Sequence, residues 1–458
     1  MDNLATVLAR ELDGFKALKE CQQLTNGASQ ETFRVVAQTK SGDQQLALRR
    51  CPPSQQPDST VGQISLKTEA RLVQLACDAR IPAPKIVYVL KESDGLGDGF
   101  LMQWLDGETR GQRIVRSESL EKIRPKLARQ CGEILARLHA VEVSSELKEL
   151  LPEITPESLV QDTWAAYQAL QVPQAMIDFT ARWLLDNLPK DSRQTLVHGD
   201  FRNGNLMVDE TGLCGVLDWE LAQIGDPVRD LGWMCVNSWR FGVKELPVGG
   251  FGTVEDMLAG YETVSGLEIN ASDLKFWQVF GSFWWAVTTL TMAATWRTGE
   301  TPSLERPVIG RRSSEAQMDC VNLIIPGEYS LPAELELHSG TQLPMPAELL
   351  EGVRIFLKDD VASGDQQRHG FLAKVAANSL GIAQREFLYG SNLQETEKKH
   401  LCTLLGPGKL NELRWQLVHQ LRTDLSLDTP LLADHLRQTV AGQLWIDQPG
   451  YSALSSAN

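Results

Sequence analysis

Three oxygen-bearing side chains near the middle of the chain have the types and order that metal-assisted phosphoryl transfer requires. Asp200, Asn205 and Asp218 follow one another at intervals of five and thirteen residues, separated by short apolar runs. Transfer of a phosphoryl group to a hydroxyl needs a carboxylate that accepts the hydroxyl proton. It also needs Mg2+ held by hard oxygen ligands against the phosphates of the donor. Asp200 suits the base. An Asn can reach the metal while leaving that carboxylate free, and a second Asp completes the cage, so Asn205 and Asp218 read as the metal ligands. Residues 206–208 and 215–217 read as two short strands joined by a turn at 209–212, a hairpin that brings Asn205 and Asp218 to the same end.

The protein-kinase signature sets its base, its Asn and its metal-binding Asp in this same order. More closely, His198-Gly199-Asp200 with Asn205, then Leu217-Asp218-Trp219-Glu220, Gly225-Asp226-Pro227 and Asp230-Leu231 resembles the aminoglycoside phosphotransferase-like kinases. The nearest branch is the one related to the kinase domain fused to certain acyl-CoA dehydrogenases. The resemblance covers roughly residues 1–325 and is strongest over 195–242. A lone His-Gly-Asp could be explained by Asp and Asn capping turns in a β-rich segment. The full constellation is more specific. The resemblance implies an α+β, two-lobed, protein-kinase-like fold with a small β-rich N-lobe and a mainly helical C-lobe, using ATP and Mg2+. It groups His198 and Arg202 with Asp200 as candidate catalytic residues.

The same resemblance assigns the positioning elements. Residues 24–36 read as a turn followed by a strand that pairs with 45–50, the hairpin that covers the phosphates through backbone N–H groups around Asn26, Gly27 and Ser29. Kinases hold the phosphates with a Lys on the next strand, and here the matching position is Arg49, which keeps the charge but is not interchangeable with Lys. Glu69, in a helical stretch over 64–79, resembles the acidic partner of that cation; the other reading is a solvated helix-face Glu. Strands over 82–90 and 99–105 lead to a hinge where main-chain groups near Gln103 and Leu105 would meet the adenine edge. Asp230 is expected to support the catalytic loop by hydrogen bonding.

Apolar spacing predicts a lead helix over residues 2–19 and helices from 124 to about 325. Trp233, Trp239, Trp285 and Arg240 are candidate pocket residues, with a core role favoured for each tryptophan. Six Pro and Gly residues punctuate 325–346, the mark of a linker. Beyond it, residues 348–357, 371–388, 399–405, 410–423 and 431–444 are amphipathic at helical spacing, a small all-α domain. Residues 371–380 resemble an uncharacterised bacterial helical domain encoded beside such phosphotransferases. The expected organisation is an N-lobe over 1–105, a C-lobe over 106–325, a linker over 326–346 and a helical domain over 347–458, the last serving docking, substrate capture or oligomerisation.

The chain has 458 residues, 42% hydrophobic and 22% charged, which suits a soluble protein of two or three domains. A net charge of −15 disfavours nucleic acid and anionic membrane surfaces as partners. Eight scattered cysteines show no zinc spacing and no disulfide framework, and the N-terminus has no secretory pattern, so a cytoplasmic location is expected. Residues 276–296 lack formal charge and hold four tryptophans, long enough to suggest a membrane span. Gln278, Gly281, Ser282 and four threonines favour a buried core helix instead. The reading is therefore an ATP- and Mg2+-dependent small-molecule O-phosphotransferase, its acceptor a hydroxyacyl-CoA or related hydroxylated metabolite. An aminoglycoside-type kinase is the alternative within the class. A nucleotide-binding pseudo-kinase acting as an interaction module, supported by Arg49 in the Lys position, is the alternative of another class.

Overall fold

Alternation of buried and outward side chains organises the N-terminal sheet. The computed structural model describes residues 2–26, 30–52, 64–299, 303–333, 346–364 and 368–454. Strands β1 (Phe15–Asn26), β2 (Glu31–Thr39), β3 (Gly42–Cys51), β4 (Ile86–Val89) and β5 (Asp98–Gln103) form one antiparallel sheet in the order β1-β2-β3-β5-β4. Val35, Ala37, Leu46, Leu48 and Leu101 turn to one face, where the lead helix Asp2–Glu11 lays Leu4, Val7 and Leu8 against them. With Leu48 committed to that face, the period of two in a strand sends Arg49 to the other. The helix Leu66–Asp78 is N-capped by Ser65, whose Oγ accepts from Thr68 N at 3.1 Å, and carries Glu69 in its first turn, buried.

The lead helix is shorter than its apolar pattern predicts. It stops at Glu11, Gly14 takes a left-handed turn (φ 66°), and Phe15 begins β1. Leu12 and Phe15 still reach the same core, but from a turn and a strand rather than from one helical face. Proximity to a core explains the apolar periodicity without fixing the secondary structure.

By its internal packing the chain divides into two compact units, one comprising Met1–Thr155, Asp191–Cys235 and Trp239–Leu274, the other Pro156–Lys190, Val236–Ser238 and Lys275–Asn458. The first holds the sheet, the helix Leu127–His139 and four further short strands: β6 (Thr195–Val197), β7 (Leu206–Asp209), β8 (Gly212–Val216) and β9 (Gln223–Gly225). β6 pairs with β9 and β7 with β8, both antiparallel. Among the described residues the second unit is helical, so the α+β class holds: an antiparallel N-terminal sheet, a mainly helical remainder and a C-terminal helical region. The stretch 276–296 lies in the helix Ala271–Arg297, which buries Phe276, Trp277, Phe280 and Phe283, and no described helix is long and apolar enough to cross a membrane.

Residues 371–388 and 399–405, expected as separate helices, belong to one 38-residue helix, Arg368–Leu405. The intervening residues contain no proline, and Gln394, Glu395, Glu397 and Lys398 are good helix formers, so their polar run interrupts the apolar pattern without breaking the helix. In the last helix, Leu432–Asp447, His435 is buried, and burial, reinforced by His400 and Arg414, pushes its imidazole down to about 4. Between the ordinary His value of about 6.5 and pH 4 the unfolded chain binds a proton that the folded chain refuses, so stability falls as pH drops through that window, by up to about 3 kcal/mol. His435→Gln is expected to flatten the decline of the thermal midpoint between pH 7 and 4, followed by circular dichroism. An unchanged slope would contradict the assignment.

Candidate active site

The loop over residues 198–205 runs between β6 and β7, and its path is dictated from below by one carboxylate. Asp230, fully buried on the helix Val228–Met234, accepts from His198 N at 2.9 Å and Gly199 N at 2.9 Å, and meets His139 Nε2 at 3.2 Å. Burial works to raise its pKa, but His139 and the loop amides outweigh that and hold it below the ordinary carboxylate value. Asp230 therefore supports the loop by hydrogen bonding, as expected from the sequence. His139 Nδ1 lies 3.1 Å from Tyr261 Oη, which extends the network to the helix Val254–Ser265. Gly199 takes φ 80°, and a Cβ there would stand 2.1 Å from Leu221 O, so the middle position of His-Gly-Asp has no room for a side chain.

His198 is spent on the frame. Its Nδ1 accepts from Asp200 N at 3.2 Å, which leaves the proton on Nε2 facing Leu217 O at 3.2 Å. Burial pushes its pKa down, so it is a neutral brace. Asp200 Oδ1 accepts from Arg202 Nε at 2.9 Å and from Trp233 Nε1 at 2.7 Å, while Oδ2 accepts from Asn205 Nδ2 at 2.6 Å. The Arg202 guanidinium also lies over the Trp239 ring, 4.3 Å from its centroid.

Asn205 and Asp218 meet at the open end of the β7–β8 hairpin. Leu206 pairs with Val216, and Leu217 N donates to Asn205 O at 2.9 Å, so Asp218 is one residue past the closing bond. Asp218 itself adopts a left-handed backbone (φ 64°), a strained conformation of the kind that clusters at functional sites. The donor set fits a hard cation. The Asn205 amide nitrogen is committed to Asp200 O and Oδ2, so its carbonyl oxygen is the atom that would reach a metal, and Asp218 would add a carboxylate. Among the described residues no group of three or more His, Cys, Asp or Glu forms a metal cage, so phosphate oxygens and water would complete the coordination.

Arg49 faces this end of the hairpin. Its guanidinium lies 3.3 Å from Glu69, 2.8 Å from Asp218 and 3.5 Å from Glu220, and its Nε donates to Gln30 at 3.0 Å. Burial disfavours its charge, yet Glu69, Asp218 and Glu220 together hold it above the ordinary Arg value. One cation among three carboxylates leaves the cluster short of positive charge. Burial raises Glu69 to about 7 against the pull of Arg49, and burial together with Asp218 raises Glu220 to about 6. Asn26 closes β1 opposite Glu31, and Gly27 and Ser29 lie outside the described residues. Gln103 N donates to Lys85 O at 2.8 Å and Trp104 N to Gln45 O at 3.4 Å, so both amides are already engaged; Leu105 follows, half-buried.

Sequence reasoning missed Glu220 and the contact of Trp233 with Asp200. Glu220 was legible as the acid two residues after Asp218. The Trp233 contact was not, because a buried tryptophan in a helix looks like core whether or not its indole N–H has work to do.

Residues 20–267 match the model of the Phosphotransferase enzyme family, more than half of the chain. The chain belongs to this family. Residues 364–451 match a domain of unknown function (DUF6285). Among curated proteins, the chain is 27% identical over 229 residues to acyl-CoA dehydrogenase family member 10 of Mus musculus, covering 47% of this chain and 20% of that protein. It is 26% identical over 353 residues to acyl-CoA dehydrogenase family member 11 of Homo sapiens, covering 71% of this chain and 41% of that one. The chain thus spans well under half the length of these relatives. A crystal structure of a candidate aminoglycoside phosphotransferase from Ralstonia eutropha is similar in fold, with a TM-score of 0.57 at 20% identity over 70% of this chain and 96% of that one.

Because Asp230 has three donors and no solvent, truncating it strands the loop amides. Asp230→Ala is expected to cost about 3 kcal/mol or more of stability in urea unfolding of the family domain. A loss under about 1 kcal/mol would mean that the loop is held by something else.

Proposed function

We propose that the chain transfers the γ-phosphoryl group of ATP, with Mg2+, to an alcohol group of a small molecule. The observation that carries this reading is the convergence of one loop and one hairpin end: Asn205 donates to Asp200 Oδ2 at 2.6 Å while its main-chain carbonyl accepts from the residue before Asp218. Asp200 accepts the acceptor's hydroxyl proton, Asn205 Oδ1 and the Asp218 carboxylate hold the metal, and Arg49 grips the phosphates from β3, with Glu69 orienting it. Mg-ATP, when bound, supplies the phosphoryl group, the charge that offsets its oxygens, and ADP as the leaving group. Asn26, Gly27 and Ser29 would meet the phosphates, and the main chain near Leu105 would take the adenine edge. Residues 1–105 would serve nucleotide binding and 106–325 catalysis and acceptor binding, with the helical domain beyond the linker in a supporting role.

The acceptor we propose is a hydroxyacyl-CoA or a related hydroxylated metabolite, supported by the acyl-CoA dehydrogenase names of the curated relatives. One contact favours a second reading. Arg49 pairs with Asp218 at 2.8 Å, and a carboxylate that keeps this guanidinium after the nucleotide binds is a poorer metal ligand, which would favour binding without turnover.

Asp200→Asn is expected to leave nucleotide affinity within a few-fold by calorimetry while lowering transfer at least a thousandfold. The assay is mass-spectrometric detection of phosphorylated products from Mg-ATP with a panel of hydroxyacyl-CoAs, aminoglycosides and short hydroxy acids. Unaltered turnover in the variant would sink the base assignment. ATP binding with no product from any acceptor would favour the pseudo-kinase reading.

A further inference from the structure

We infer that Trp233 is a positioning residue of the transfer reaction, fixing which oxygen of Asp200 receives the acceptor's proton; this rests on the reading of Asp200 as the base. An ionised carboxylate has two lone-pair positions on each oxygen. Oδ1 of Asp200 fills both, with Arg202 Nε at 2.9 Å and Trp233 Nε1 at 2.7 Å. Among the described residues Oδ2 has one side-chain donor, Asn205 Nδ2 at 2.6 Å, which leaves one position for a hydroxyl. The acceptor's proton therefore goes to Oδ2, the electron pair freed from its O–H bond forms the new bond between oxygen and the γ-phosphorus, and the bond from that phosphorus to the bridging oxygen breaks with its pair leaving on ADP.

Of the two donors on Oδ1, Trp233 is the fixed one. Arg202 is a long, many-torsion side chain with about a quarter of its surface exposed, its guanidinium resting on the Trp239 ring. Trp233 is buried, moves about only two torsions, and its ring packs edge-on against Trp239 at 5.1 Å between centroids. It also stands three residues after Asp230 on the same helix, so both project from one face. A single helical turn thus holds the loop twice: Asp230 by its amides and Trp233 by the carboxylate that would do the chemistry. Without the indole N–H the carboxylate can rotate about its last torsion and present either oxygen.

The test compares Trp233→Phe, which keeps a ring but removes the donor, with the unaltered chain on Mg-ATP and a panel of hydroxyacyl-CoAs bearing the hydroxyl at successive carbons. The expected result is a fall in kcat of at least tenfold, with KM for both substrates within twofold and calorimetric ATP stoichiometry unchanged, and with less than a twofold further loss when the change is made in Asp200→Asn. A merely structural role would lower the binding stoichiometry and would multiply with Asp200→Asn instead. Full kcat in Trp233→Phe beside an inactive Asp200→Asn overturns the inference and leaves the base reading intact; full activity in both overturns both. A readout free of turnover is the 15N–1H indole spectrum of the whole chain, in which Trp233→Phe identifies the Trp233 resonance. That resonance is expected to shift upfield in Asp200→Ala, and an unmoved resonance overturns the inference even if no acceptor in the panel is phosphorylated. Should Trp233→Phe fail to fold, the indole assignment is made by Trp233-selective labelling and the Asp200→Ala comparison decides.

Discussion

A single buried carboxylate sets the geometry of the site. Asp230 has no contact with solvent and is charged in the folded chain only because the amides of His198 and Gly199 and the His139 ring surround it. An unpaired carboxylate in that position would be too costly to keep, and unpaired amides in the loop would be nearly as costly, so each side requires the other. The loop cannot leave without abandoning a buried charge. The side chains we propose for the chemistry, Asp200, Arg202 and Asn205, project from a backbone locked in this way, which is the rigidity that positioning demands of a phosphoryl-transfer site.

A second constraint is electrostatic. Arg49 is the cation that draws Glu69, Asp218 and Glu220 together, and it cannot neutralise three carboxylates. Burial is the main reason that Glu69 and Glu220 lie above the ordinary carboxylate value, and the neighbouring carboxylates add to it against the pull of Arg49. A region of excess negative charge beside a strained Asp218 is stabilised by any added cation, which is why an Arg in this position is compatible with a divalent metal. The metal would take over part of the work that Arg49 does alone. The same reasoning explains why Lys would be a poor substitute: a point charge cannot reach Gln30, Glu69 and Asp218 at once.

Much of this could be read in the residues. The hairpin that follows Asn205 and leads to Asp218 was legible from the turn chemistry at 209–212, and the order Asp200, Asn205, Asp218 is the one expected of a base and two hard ligands on one loop and one hairpin end. Arg49 was legible through the resemblance, which sets a cation at that position of the strand, and strand periodicity turns it away from the face of Leu48. Other features were not. The lead helix ends at Glu11 because a positive-φ glycine redirects the chain, while Leu12 and Phe15 keep up the apolar rhythm beyond it. The 38-residue helix reads as two because a polar run over 394–398 interrupts its apolar pattern, although helix formers carry the backbone through it. Trp233 was hidden for a different reason: composition and periodicity see its ring, and only three-dimensional placement shows where its single donor points.

The measurement that bears most directly on the account uses ATP carrying 18O in the three non-bridging oxygens of its γ-phosphoryl group, incubated with the chain, Mg2+ and a hydroxylated acceptor. The account predicts a phosphomonoester containing all three labelled oxygens joined to the acceptor's own unlabelled oxygen, with no labelled phosphate on the chain at any time. Label recovered as a phosphorylated form of the protein, or only as inorganic phosphate, would contradict direct transfer with Asp200 as the base.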